Sequence, residues 1–155
     1  MCIEHHIDID ASPSIVFGLN TDIERWPAIT PTVTSVARLE EGPLRVGSRA
    51  LIKQPGQRPT VWTVSVLEPE QRFVWGATAM GMRMVATHRV EPTPTGVRNH
   101  LRLDLDGALA RVIGPLLGRK LRAVLATENE GFRREAHRLM AEGSLGRAAD
   151  EEDEQ

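Results

Sequence analysis

The chain has 155 residues, of which 41% are hydrophobic and 26% charged, with a formal charge of −2. That is the size and balance of one soluble domain with a sizeable core, and no apolar run approaches the roughly 18 residues of a membrane span. Arginines interleaved with acids argue against a nucleic-acid surface, the single Cys2 excludes an internal disulfide and points to a reducing, cytoplasmic setting, and the N-terminus lacks a basic-then-apolar signal pattern.

Cys2 to Asp10 alternates strictly, with Ile3, His5, Ile7 and Ile9 on one face and Glu4, His6, Asp8 and Asp10 on the other, the pattern of a half-buried strand. Ser12-Pro13 supplies a helix cap and a first-turn proline, and Ile15, Val16 and Leu19 supply an inward face. Asn20-Thr21-Asp22 is expected to interrupt this helix and cap a second, Ile23 to Trp26, which Pro27 ends.

From Thr32 onward the pattern is β. Strands are predicted over Thr32 to Glu40 (with a bulge), Val46 to Gln54, Thr60 to Leu67, Arg72 to Ala79, Met82 to Val90 and Val97 to Leu105, separated by Gly- and Pro-rich turns. Trp62 with Val64, Phe73 with Trp75, Met82 with Met84 and His88, and Asn99 with Leu101 fall on the inner face.

The longest periodic stretch, Ala108 to Glu142, reads as one amphipathic helix with Ile113, Leu117, Leu121, Val124, Phe132 and Leu139 on a stripe. Arg111, Arg119, Arg122, Arg133 and His137 are expected on its wet side, and Gly114-Pro115 predicts a kink or restart. Glu128 and Glu135 lie on the apolar line, where a carboxylate needs a partner or water. The last residues carry Arg147 against five acids, so the chain divides into a domain over 1–144 and an acidic, disordered tail over 145–155.

The order β-α-α-β(6)-α predicts an α+β domain, a curved antiparallel sheet of six to seven strands around the terminal helix, with space for a ligand between them. Ala11-Ser12-Pro13, Thr21-Asp22-Ile23-Glu24-Arg25-Trp26-Pro27, Gly42-Pro43-Leu44-Arg45-Val46-Gly47-Ser48, Val61-Trp62-Thr63-Val64, and Phe73-Val74-Trp75 followed by His88 resemble the polyketide cyclase/dehydrase and lipid-transport group of the START-like (Bet v 1-like, SRPBCC) superfamily. The resemblance reaches Glu128 and Gly131-Phe132, and implies a helix-grip fold with a cavity for an apolar or amphipathic molecule. Aromatase/cyclases of that group place a Tyr near Val33 and an Arg at the position of Gln54. The chain has no Tyr at all, which argues against their chemistry.

The expected contents of the cavity follow. Polar side chains His5, Gln54, His88, Asn99 and Glu128 share the inner face, and His88 with Glu128 is the candidate acid–base pair. Trp62, Phe73, Trp75, Met82, Met84, Leu117, Leu121 and Val124 are the candidate apolar lining, with Trp26 at the pocket mouth and Met80, Met82 and Met84 at an adaptable hairpin entrance. No metal or cofactor is expected, because the His residues are scattered and the glycine motifs of nucleotide binding are absent. The leading reading is a carrier of a small apolar molecule, acting as monomer or homodimer. The alternatives are a cyclase/dehydratase-type enzyme using His88 and Glu128, and an interaction module using the sheet edge.

Overall fold

A computed structural model describes the backbone of residues 1–153 and the side-chain surroundings of residues 1–144. Its strands are β1 (Cys2–Ile9), β2 (Ser35–Arg38), β3 (Arg49–Lys53), β4 (Thr60–Glu68), β5 (Arg72–Ala79), β6 (Met82–Pro92) and β7 (Val97–Asp106). They form one antiparallel sheet in the order β1-β7-β6-β5-β4-β3-β2. Helix α1 spans Pro13–Thr21, a 3-10 turn Ile23–Arg25 follows, α2 is Trp26–Ile29, and α3 is Ala108–Asp153. This is the helix-grip architecture.

Period-two burial carries the sheet. Ile3 and Ile9 of β1, Trp62 and Val64 of β4, Phe73, Trp75 and Ala77 of β5, and Val97, Asn99, Leu101 and Leu105 of β7 all face inward and are buried. A register shift between Val64 and Val66 opposite β5 bends the sheet at the expected kind of irregularity, but in β4 rather than β2. Strands β2 and β3 are shorter than predicted, because Thr32 to Thr34 and Val46 to Ser48 lie in loops and turns that feed them.

The helices keep one expected cap and otherwise depart from expectation, Pro27 among the departures, since it lies inside α2 and does not end the second helix. Ser12 caps α1 as predicted, its hydroxyl accepting from the Ile15 amide at 3.3 Å. Asn20, however, does not interrupt α1: it is the fully buried last-turn residue, and Asp22 makes no side-chain cap. Helix α3 runs through Gly114-Pro115 without interruption and past Glu142. The disorder expected for 145–155 concerns residues whose side-chain surroundings lie outside those described.

Helix α3 packs chiefly on β1, then on β7, α1 and α2, with lighter contact to β6. Its buried stripe in the second half is Leu125, Asn129, Phe132 and Ala136, one residue further on than the predicted Val124–Glu128 line. Gly131 makes the α2 contact possible. A Cβ built there would stand 2.4 Å from the Ile29 carbonyl oxygen, which Arg134 also holds at 3.1 Å. Alanine normally favours a helix interior over glycine by about 0.5–1 kcal/mol. Gly131→Ala is expected to reverse that sign and destabilise by about 1–2 kcal/mol, because the obstructing atom is backbone. Urea denaturation checks it, and a variant as stable as its parent would refute the close approach.

Candidate functional site

The interior of the grip is built from rings. Trp26 is 5% exposed, not at a mouth as expected, and its indole N–H donates to the Leu19 carbonyl at 3.1 Å. It meets Trp75 edge-on at 5.2 Å and stacks on His88 at 5.3 Å with planes 26° apart. Trp62 and Phe73 close on Trp75, and Phe132 from α3 closes on Trp26 and His88. Where a cavity was expected around His88, aromatic side chains fill the space.

A directed polar chain threads this core. Asn129 Nδ2 donates to the His5 backbone oxygen at 3.3 Å and lies 2.8 Å from His5 Nδ1. Asn99 Nδ2 donates to Asn129 Oδ1 at 2.9 Å, and Asn20 Nδ2 donates to Asn99 Oδ1 at 2.7 Å. Asn20 Oδ1 then faces His88 Nδ1 at 3.2 Å. A backbone carbonyl can only accept, so the His5 oxygen fixes the orientation of Asn129. Each amide in turn fixes the next, and the last link requires a proton on His88 Nδ1. A charged imidazolium would also carry that proton, but burial holds the His88 pKa down at about 3, so the ring is neutral with Nε2 as its lone-pair nitrogen. All three asparagines are fully buried.

Glu128 belongs to a separate polar group. Its Oε1 accepts from the Thr32 hydroxyl at 2.9 Å, Thr32 Oγ1 lies 3.0 Å from Thr30 Oγ1, and Gln54 Nε2 donates to the Thr32 carbonyl at 3.4 Å. Although Glu128 is only half-buried as a residue, protein crowds its carboxyl. That burial raises its pKa to about 7 against the opposing pull of the Thr32 bond. The predicted His88–Glu128 pair is thus not made: each group is hydrogen-bonded elsewhere. Glu135, on the same predicted line, pairs instead with Arg25 at 2.6 Å and with Arg138.

The two groups give opposite pH dependences. Glu128 binds its proton more tightly folded than its ordinary value of 4.5, so its contribution is full below that value and lost as pH rises through about 7. His88 is depressed from 6.5, so its contribution is full above that value and lost as pH falls toward 3. Glu128→Gln removes the first limb only. The variant should be about 1–3 kcal/mol more stable than the parent above about pH 8, with the gain vanishing in acid. Denaturation curves across that range check it, and a pH-independent difference would contradict a buried Glu128 carboxyl.

The remaining candidates divide by burial. Trp62, Phe73, Trp75 and Asn99 are core, while Gln54, just past β3, Met82 and Met84 on β6, and Leu117, Leu121 and Val124 on α3 are half-buried. Met80 is 85% exposed at the hairpin tip. Two cavities of about 380 and 400 Å³ open elsewhere, one between α1 and Arg38, Leu44 and Leu67, the other between Met1, Leu105 and Pro115. None of the predicted ligand residues lines either. No group of His, Cys, Asp and Glu able to hold a metal occurs among the described residues.

An antiparallel sheet gripping a long C-terminal helix defines a START/Bet v 1-like protein. The chain belongs to the family described as polyketide cyclase/dehydrase and lipid transport, whose model matches residues 1–139. Solved structures share the fold at low identity. The di-domain aromatase/cyclase StfQ of the steffimycin pathway superposes with a TM-score of 0.75 at 14% identity over 90% of this chain, which spans only 51% of that one. A START superfamily protein from Mycobacterium smegmatis gives 0.73 at 14% identity, covering 89% of this chain and 98% of its own. The ZhuI aromatase/cyclase of a Streptomyces species gives 0.69 at 19% identity, covering 89% and 94%. No curated protein sequence matches.

Proposed function

We propose that the protein binds and carries a small apolar or amphipathic molecule in the seam between α3 and the sheet. The observation that carries this reading is a set of half-buried apolar side chains on two elements that touch, Met82 and Met84 of β6 and Leu117, Leu121 and Val124 of α3, with Gln54 and Glu128, both bonded to Thr32, as the polar end. In such a site affinity comes from buried apolar area, while a few polar groups orient the ligand. A carboxyl that stays protonated up to about pH 7 offers a neutral O–H donor to a ligand oxygen.

The second reading, a cyclase or dehydratase, rests on the same Glu128, because a carboxyl with a pKa of about 7 suits proton transfer near neutrality. It no longer includes His88, whose Nδ1 is committed to Asn20 and whose ring is packed among aromatics.

A fluorescent apolar probe separates the readings when paired with turnover of candidate cyclic substrates. Leu117→Trp should fill the seam and weaken probe binding about tenfold or more. Leu121→Ala, half-buried, should cost only about 1 kcal/mol of stability while changing probe affinity. Glu128→Gln should shift affinity modestly. The enzyme reading wins if Glu128→Gln leaves probe affinity intact and removes a measurable turnover.

A further inference from the structure

We propose that the first half of α3 docks the protein onto an anionic lipid bilayer surface. Between Gly107 and Thr127 the sequence contains Arg111, Arg119, Lys120 and Arg122 and not one acidic residue. The second half of the same helix mixes signs and pairs them: Arg133 with Glu130 at 2.6 Å, Arg138 with Glu135 and Glu142. None of the four first-half cations forms an ion pair among the described residues.

The apolar part lies between them. Val112 is 72% and Leu116 82% exposed, four residues apart and therefore on one outward face. The β5–β6 hairpin tip adds exposed Met80 at the same end of the molecule. The backbone approach that fixes this is close: a Cβ on Gly107, whose φ is +119°, would stand 2.6 Å from the Gly81 carbonyl oxygen. Asp106, just before the helix begins, accepts from the Gly107 amide at 2.8 Å.

Exposed aliphatic side chains rimmed by unpaired cations match the interface of an anionic bilayer, where the apolar groups enter the headgroup boundary and the cations meet lipid charge. A span is not implied, since no helix among the described residues is long and apolar enough to cross. A second copy fits less well. A two-fold contact through this face would set like charges against each other, with no acid in the patch to relieve them. The surface does not depend on the ligand reading, because no seam residue takes part in it.

Co-sedimentation of the full chain with phosphatidylcholine vesicles, with and without phosphatidylglycerol, tests it. Binding is expected only with phosphatidylglycerol and should weaken with salt. Leu116→Glu, and separately Arg119→Glu with Lys120→Glu, should each reduce vesicle partitioning about tenfold or more, with circular dichroism and melting unchanged because these positions are exposed. The proposal is overturned by no binding, by equal binding to neutral vesicles, or by binding that neither variant weakens. A dimer in lipid-free sedimentation that Leu116→Glu dissociates would overturn it too, by assigning the face to self-association.

Discussion

Trp26→Ala should lower the unfolding free energy by about 3–5 kcal/mol, the range for removing a large aromatic side chain from a packed core. Helix α2 has four residues and no side-chain cap, so its position depends on what its side chains bury. Trp26 supplies most of that, touching Trp75, His88 and Phe132 and so joining the sheet to α3. Its N–H also satisfies the Leu19 carbonyl, one of the last-turn acceptors that α1 leaves without an intrahelical donor. Trp26→Phe separates the contributions in part: it keeps one ring and loses the donor together with some of the indole's volume, with an expected cost of about 1–3 kcal/mol. In the alanine variant, water reaching the vacated space should also raise the His88 pKa from its depressed value, which histidine NMR titration reads directly. A loss below about 1 kcal/mol would mean that the cluster repacks around the gap, contrary to a rigid interior.

The strands were legible because one wet face imposes period two. Asn99 stands among Val97, Leu101 and Leu103 on β7, so its inward position follows from alternation alone. Its partners were not. Asn20 beside Thr21 and Asp22 has the composition of a helix end, and only the tertiary contact with Asn99 makes it a core residue. Asn129 was missed through a phase error of one residue on α3. Leu125, Phe132 and Ala136 define the dry stripe, and Asn129 lies in register with them. Glu128, next to that stripe, drew attention because a charge on an apolar line is conspicuous, whereas an amide is not. The aromatic filling was hidden for a different reason. Period two shows which faces Trp62, Phe73 and Trp75 share, but not that Trp26 from α2 meets Trp75 and that Phe132 from α3 meets Trp26 in turn.

Asn99→Leu, a nearly isosteric change, should cost about 3–5 kcal/mol, since it leaves Asn20 Nδ2 and Asn129 Oδ1 without partners in a dry core at about 1–3 kcal/mol each and adds its own lost bonds. Volume is nearly conserved, so the loss reports hydrogen bonding and not packing. Asn99→Asp tests the direction of the chain as well as its existence. The substitution replaces the donor facing Asn129 Oδ1 with a carboxylate oxygen, which sets acceptor against acceptor and buries a charge. That variant should be severely destabilised at neutral pH and should recover in part on acidification, because a protonated carboxyl regains an O–H donor. The recovery must be read against the parent, whose own stability falls in acid as His88 takes up its proton. In the unsubstituted protein, nitrogen chemical shifts of His88 should report the Nδ1–H form. A dominant Nε2–H form, together with an Asn99→Leu variant as stable as the parent, would show that the asparagines only fill space.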